Sequence, residues 1–123
     1  HEKSIKAFDI IQSQLKPGMN VKALLESIRD YYVEVGIFDD CYWSGGYELG
    51  IAFPPDWVGA YIYDLSMTEE TDCFEPMSAV NHECNFFAAD GAGLSATIET
   101  IIFRENDAHF ACNATRELQV LFA

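Results

Sequence analysis

A carboxylate set among apolar neighbours must be hydrogen-bonded, paired or metal-bound, or its pKa rises. Glu99 is such a group, lying in a run that holds Leu94, Ile98, Ile101, Ile102 and Phe103. If 94–103 is a regular strand, Ser95, Thr97 and Glu99 share one face by two-residue alternation. That face is either the polar floor of a pocket or the outer side of a sheet turned to water. A second carboxylate, Glu83, directly follows His82. On a strand these two point to opposite faces and cannot form one ligand pair, and a lone strand histidine is more often structural than catalytic. His82-x-Cys84 and His109-x-x-Cys112 contain zinc-ligand types, but His109 and Cys112 differ in strand parity, so no metal site is expected from them. Tyr47 and Trp57 flank a glycine-rich strand and supply either an aromatic wall for a cation or core filler. The chain contains no Gly-x-Ser-x-Gly elbow, phosphate-binding loop or His-Glu-x-x-His, and no catalytic residue is assigned.

The stretch from Ser44 to Trp57 positions two of these residues. Gly45, Gly46 and Gly50 allow close backbone approach, and Pro54-Pro55 removes two ladder donors. The pattern describes a strand entering and leaving a crowded place, or more simply a glycine-rich hairpin followed by a rigid loop.

Charge narrows the partners. The formal net charge is −13, and no Lys or Arg occurs between Arg29 and Arg104. Such a surface repels phosphate backbones and anionic lipid, which argues against nucleic-acid or membrane-surface binding. It accommodates cationic ligands, or serves solubility alone. No apolar run approaches the roughly 20 residues of a membrane span. The chain begins at His1 without a methionine, which suggests processing or a longer parent. Cys41, Cys73, Cys84 and Cys112 allow two disulfides in three connectivities, or buried thiols, and the compartment stays undecided. Asn113-Ala114-Thr115 is a formal glycosylation sequon.

The elements follow from periodicity. Ser4 is the expected cap of a helix through Leu15, with Ile5, Phe8, Ile11 and Leu15 on its apolar face. Lys16-Pro17-Gly18 ends it. Asn20 caps a second helix whose inner side carries Val21, Leu24, Leu25, Ile28, Tyr31, Tyr32 and Val35, with Gly36 at its C-terminal turn. Strands are expected over 42–53, 60–65, 79–87, 94–103, 109–112 and 117–122. An acidic connection runs over 68–75, and turns fall at 90–93 and 105–107. The predicted architecture is α+β: one domain over 1–123, with two N-terminal helices on one face of a curved, mainly antiparallel sheet.

In this order the segments resemble the pita-bread hydrolases, the group of creatinase, aminopeptidase P and methionine aminopeptidase. Leu15-Lys16-Pro17-Gly18-Met19-Asn20-Val21 and the helix ending Glu34-Val35-Gly36 are similar to that family's helix pair. Gly46-Tyr47-Glu48-Leu49-Gly50-Ile51 resembles its Gly-His-x-x-Gly strand. Ala52-Phe53-Pro54-Pro55-Asp56-Trp57 is similar to the creatinase-like branch near ectoine hydrolase. Glu75-Pro76-Met77 resembles a Pro-Gly-Met turn, Ile98-Glu99-Thr100-Ile101-Ile102 the Glu-bearing strand, and Thr115-Arg116-Glu117-Leu118 the closing segment. The resemblance implies the C-terminal half of a catalytic domain. Family members with a metal centre take two Asp ligands from the other half, then His, Glu and Glu from this one. Tyr47 stands at the His position, Glu83 lies one place out of register with the first Glu, and Glu99 matches the last. The two Asp strands have no counterpart, so no metal or other cofactor is expected.

The functional expectation is a non-catalytic half-domain that binds a small or cationic ligand through Tyr47, Trp57, Glu83 and Glu99, or pairs as a homodimer or with a partner half. The alternatives are a portion of a hydrolase of C–N bonds in small amides or peptides, active only with its missing half, and a disulfide-stabilised secreted α+β domain.

Overall fold

The computed structural model describes residues 1–50, 58–88, 91, 93–112 and 116. A 3₁₀ turn, Ser4–Lys6, leads into α1 (Ala7–Gln14), and α2 spans Val21–Glu34. Asn20 caps α2 through its side chain, accepting from the Ala23 amide at 2.8 Å. Gly36 takes the left-handed conformation (φ 71°) just past the helix end, where a side chain would be strained. Ser4 does not act as the expected cap: its hydroxyl donates to the His1 carbonyl at 2.8 Å and the side chain is buried. A missing cap costs about 1 kcal/mol. Burial of Phe8 and Ile11, each contributing roughly 1.5–3 kcal/mol, outweighs it.

Five antiparallel strands follow: β1 (Cys41–Leu49), β2 (Val58–Asp64), β3 (Ser78–Phe87), β4 (Leu94–Phe103) and β5 (Ala108–Phe110). Their order across the sheet is β2-β1-β3-β4-β5. β1 runs to Leu49, with a register irregularity between Tyr47 and Leu49, and positions 51–53 of the expected strand lie outside the described residues. β5 stops at Phe110 and leaves out Cys112. The expected strand 117–122 lies outside the described residues. Among the described residues Cys41, Cys73 and Cys84 are not joined in a disulfide.

The helices cover one sheet face. Phe8 packs edge-on against His82, and Tyr32 meets Phe86 edge-on while its hydroxyl donates to Cys84 Sγ at 3.0 Å. Val80, His82, Cys84 and Phe86 of β3 therefore point to the helices. In register, Ile101 faces Val80 and Glu99 faces His82, which puts them on the same side. The connection after β2 is pinned to the start of α2. Val21 N–H donates to Asp72 O at 2.9 Å, and Phe74 N–H to Met19 O at 3.0 Å. Phe74 then stacks on Phe103, ring centroids 4.9 Å apart, inside the same core.

Candidate functional site

The residues between those core positions face away from the helices. On β3 these are Asn81, Glu83 and Asn85, and on β1 their register partners Tyr47, Gly45 and Trp43. Ile62 of β2 and Ile98 of β4 extend the same face, with Ile98 56 % exposed. Glu83 is the charged centre of this face. Its two carboxylate oxygens accept from Asn81 Nδ2 at 2.8 Å and Asn85 Nδ2 at 3.2 Å, one residue to either side along the face. Asn81 in turn accepts the Tyr47 amide at 2.8 Å, which locks its side chain. Two amide donors thus satisfy the carboxylate without a cation and fix its direction.

Tyr47 completes the arrangement. Burial raises its phenol above the ordinary value, and the Glu83 charge with a side-chain hydrogen bond to Glu83 raises it further. It therefore remains an O–H donor at neutral pH. Trp43 donates through Nε1 to Asp64 Oδ2 at 3.2 Å. Burial works against the Asp64 charge, yet hydrogen bonds from Ser66, Trp43 and Met67 hold its pKa below the usual value. The result is an aromatic and acidic depression of about 560 Å3, bordered by Tyr42, Trp43, Tyr47, Ile62, Glu83 and Asn85.

The glycines explain how β1 comes so close. A Cβ on Gly46 would collide with the Asn81 carbonyl and the Tyr63 ring. One on Gly45 would strike the Tyr63 carbonyl and lie 3.2 Å from the Trp43 ring. Gly45 is also the register partner of Glu83, so no β1 side chain competes for the space across from the carboxylate.

Of the four expected ligand-binding residues, the structure brings together Tyr47 and Glu83. Trp57 lies outside the described residues. Glu99 falls on the opposite, helix-covered face, because the residue paired with Glu83 is Ile98. There Glu99 is 12 % exposed and pairs with Arg116, Nε to Oε1 3.1 Å. The Arg116 guanidinium rests over Phe110 and Phe8, 4.5 Å and 5.2 Å from the ring centroids. Glu99 is thus a structural anchor between the sheet and the segment that carries Arg116. Asn81, Asn85 and Trp43 were not singled out from the sequence. The signal for them is even spacing on paired strands: Asn81 and Asn85 lie two residues from Glu83, and Trp43 lies four from Tyr47.

His82 is fully buried on the helix side, and burial depresses its pKa to about 3. It is neutral, with Tyr63 OH 3.3 Å from Nδ1. Among the described residues no group of three or more His, Cys, Asp or Glu is arranged to hold a metal ion. The dinuclear centre that the resemblance implies does not fit the donors present: position 47 is a tyrosine, and Glu83 and Glu99 lie on opposite faces of the sheet.

No protein-family profile and no protein of curated description matches the chain by sequence. Solved structures do match. X-Pro aminopeptidase from Thermotoga maritima superposes with a TM-score of 0.77 at 14% identity, over 95% of this chain and 31% of that one. Prolidase from Pyrococcus furiosus gives 0.70 at 18% identity, over 94% and 33%. A dipeptidase from Mycobacterium ulcerans gives 0.62 at 16% identity, over 94% and 30%. The chain has part of a pita-bread fold. This half-pita-bread chain spans about a third of the length of the peptidases it matches.

Proposed function

We propose that this half-pita-bread chain is a non-catalytic binding module whose open sheet face takes a small organic cation between Glu83, Tyr47 and Trp43. The single observation that carries this reading is the Glu83 carboxylate, braced by Asn81 and Asn85 and facing an aromatic depression. A fixed carboxylate beside aromatic faces is a receptor for an ammonium group, through charge and through ring quadrupoles. The separation of Glu83 from Glu99 supports a role without a carboxylate-bridged metal pair. Exposed Ile62, Phe87, Leu94 and Ile98 surround the depression, and an apolar area of this kind favours pairing with a second copy through the same face.

Tetramethylammonium titration, followed by Trp43 fluorescence in a Trp57→Phe background, tests the site. Saturable quenching is expected in that background and a loss of about tenfold in affinity in Glu83→Gln. Unchanged affinity in that variant would remove the proposal. Light scattering tests the pairing, and a monomer at every concentration would remove that part. A second reading, part of a hydrolase acting on C–N bonds, is favoured by the peptidase neighbours and requires the missing half. Peptidase activity restored by adding that half would decide for it.

A further inference from the structure

A second concavity lies away from Glu83, where β2 meets the connection that runs on to Glu75. It encloses about 400 Å3. Its charged lining is Glu48, Asp72 and Glu75, and no described Lys or Arg borders it. The walls are held in place by backbone. Glu48 Oε2 accepts the Ala60 amide at 2.7 Å, Asp72 Oδ2 accepts the Glu69 amide at 2.8 Å, and the Val21 amide donates to Asp72 O at 2.9 Å.

Two hydroxyls separate this cleft from an ordinary acidic surface. Thr68 lines it at 9 % exposure, and its Oγ1 is buried with no hydrogen-bond partner. The Tyr61 hydroxyl, also in the lining, is buried and unpartnered in the same way. Buried hydroxyls left unpaired are costly, and a ligand that brings N–H donors relieves that cost. Burial, followed by the Glu48 and Glu75 charges, pushes the Tyr61 phenol up to about 12. It is thus a neutral hydroxyl at physiological pH.

The kind of cation follows from the spacing. Three carboxylates share the cleft, yet none of the described acidic, His or Cys side chains converge in threes as a metal ion requires. Carboxylates held apart suit positive centres held apart, and Met67 offers an apolar wall for the methylenes between them. The overall charge of −13 raises the local concentration of any such polycation.

We infer that this cleft binds a small aliphatic diamine, its ammonium groups paired with Glu48, Asp72 and Glu75 and its N–H bonds accepted by Thr68 and Tyr61. Calorimetric titration of 1,4-diaminobutane into the full chain at low ionic strength is the test. In a Glu83→Gln background, which silences the open face, one saturable site is expected, weakened about tenfold by Glu48→Gln or Glu75→Gln and less by Thr68→Val. Glu83→Gln, which alters the open face, should leave it unchanged, so the two sites fail independently. The Glu48→Gln side chain keeps an acceptor for the Ala60 amide, and thermal melts confirm that each variant folds. Amide shifts at Tyr61 and Thr68 during titration of the unmodified protein give a readout free of substitutions. Absence of saturable binding overturns the inference. So does equal binding of 1-aminobutane, displacement by an equal concentration of Mg2+, or an equal loss in Glu83→Gln.

Discussion

Acid should reach the core of this protein through His82. The imidazole is fully buried, 6.0 Å between centroids from both Phe8 and Tyr63, and its Nε2 has no hydrogen-bond partner. Burial lowers its pKa from 6.5 to about 3. Below about pH 6.5 the unfolded chain takes up this proton and the folded chain does not. The stability that neutral His82 contributes is therefore complete above that pH and lost progressively down to about pH 3. At about 1.4 kcal/mol per pH unit, the loss is about 2 kcal/mol by pH 5 and about 5 kcal/mol by pH 3. Protonation of surface carboxylates relieves the self-repulsion of a −13 chain over the same interval and acts in the opposite direction. His82→Leu removes the imidazole's titration together with its contacts to Tyr63 and Phe8, which do not vary with pH, and Tyr63 keeps its 2.6 Å hydrogen bond to the Asn81 carbonyl. Urea unfolding of both proteins between about pH 7.5 and pH 5 should show the variant gaining about 2 kcal/mol relative to the native chain. Parallel pH profiles would refute the assignment of His82 as a neutral core residue.

Two further outcomes follow from the packing. Gly46→Ala forces a methyl into the Asn81 carbonyl and the Tyr63 ring, and chemical denaturation should show a loss of about 3 kcal/mol. A near-native midpoint would mean that β1 and β3 are not packed as described. Exposed Cys73 should react with a thiol reagent in the native state. Buried Cys84, whose pKa burial pushes up to about 12, should wait for denaturant. Native labelling of Cys84 at the Cys73 rate would contradict its place under Tyr32.

Local features of the sequence were enough for the helices. Asn20, the apolar spacing from Val21 to Tyr32 and Gly36 each follow from chemistry within one turn, and the structure places all of them as read. Ser4 escaped that logic because burial of its neighbours, and not a cap, fixes the start of the first helix. Strand alternation correctly groups Ser95, Thr97 and Glu99, but which side that group faces depends on pairing with His82, a contact between strands. The same holds for the open-face site, since Glu83 meets Tyr47 and Trp43 only through the register of β1 on β3. The acidic cleft joins Glu48 to Thr68, Asp72 and Glu75 across a strand pair and a loop, and no spacing in the chain announces it. The glycine-rich stretch reads as crowding around something, and in the structure Gly45 and Gly46 crowd against the sheet's own backbone.

The opposite orientation of Glu83 and Glu99 carries an evolutionary consequence. Because neighbouring residues of a strand alternate sides, no exchange of one amino acid for another turns Glu99 outward. Deleting or adding a single residue in the turn before β4 does so at once, and it simultaneously swings Ile98 and Thr100 inward. Moving this particular carboxylate to the open face therefore takes a change of register, and the same change turns the buried Ile101 and Phe103 out of the core. That cost to the core ties Glu99 to its inward side, where it fastens an arginine.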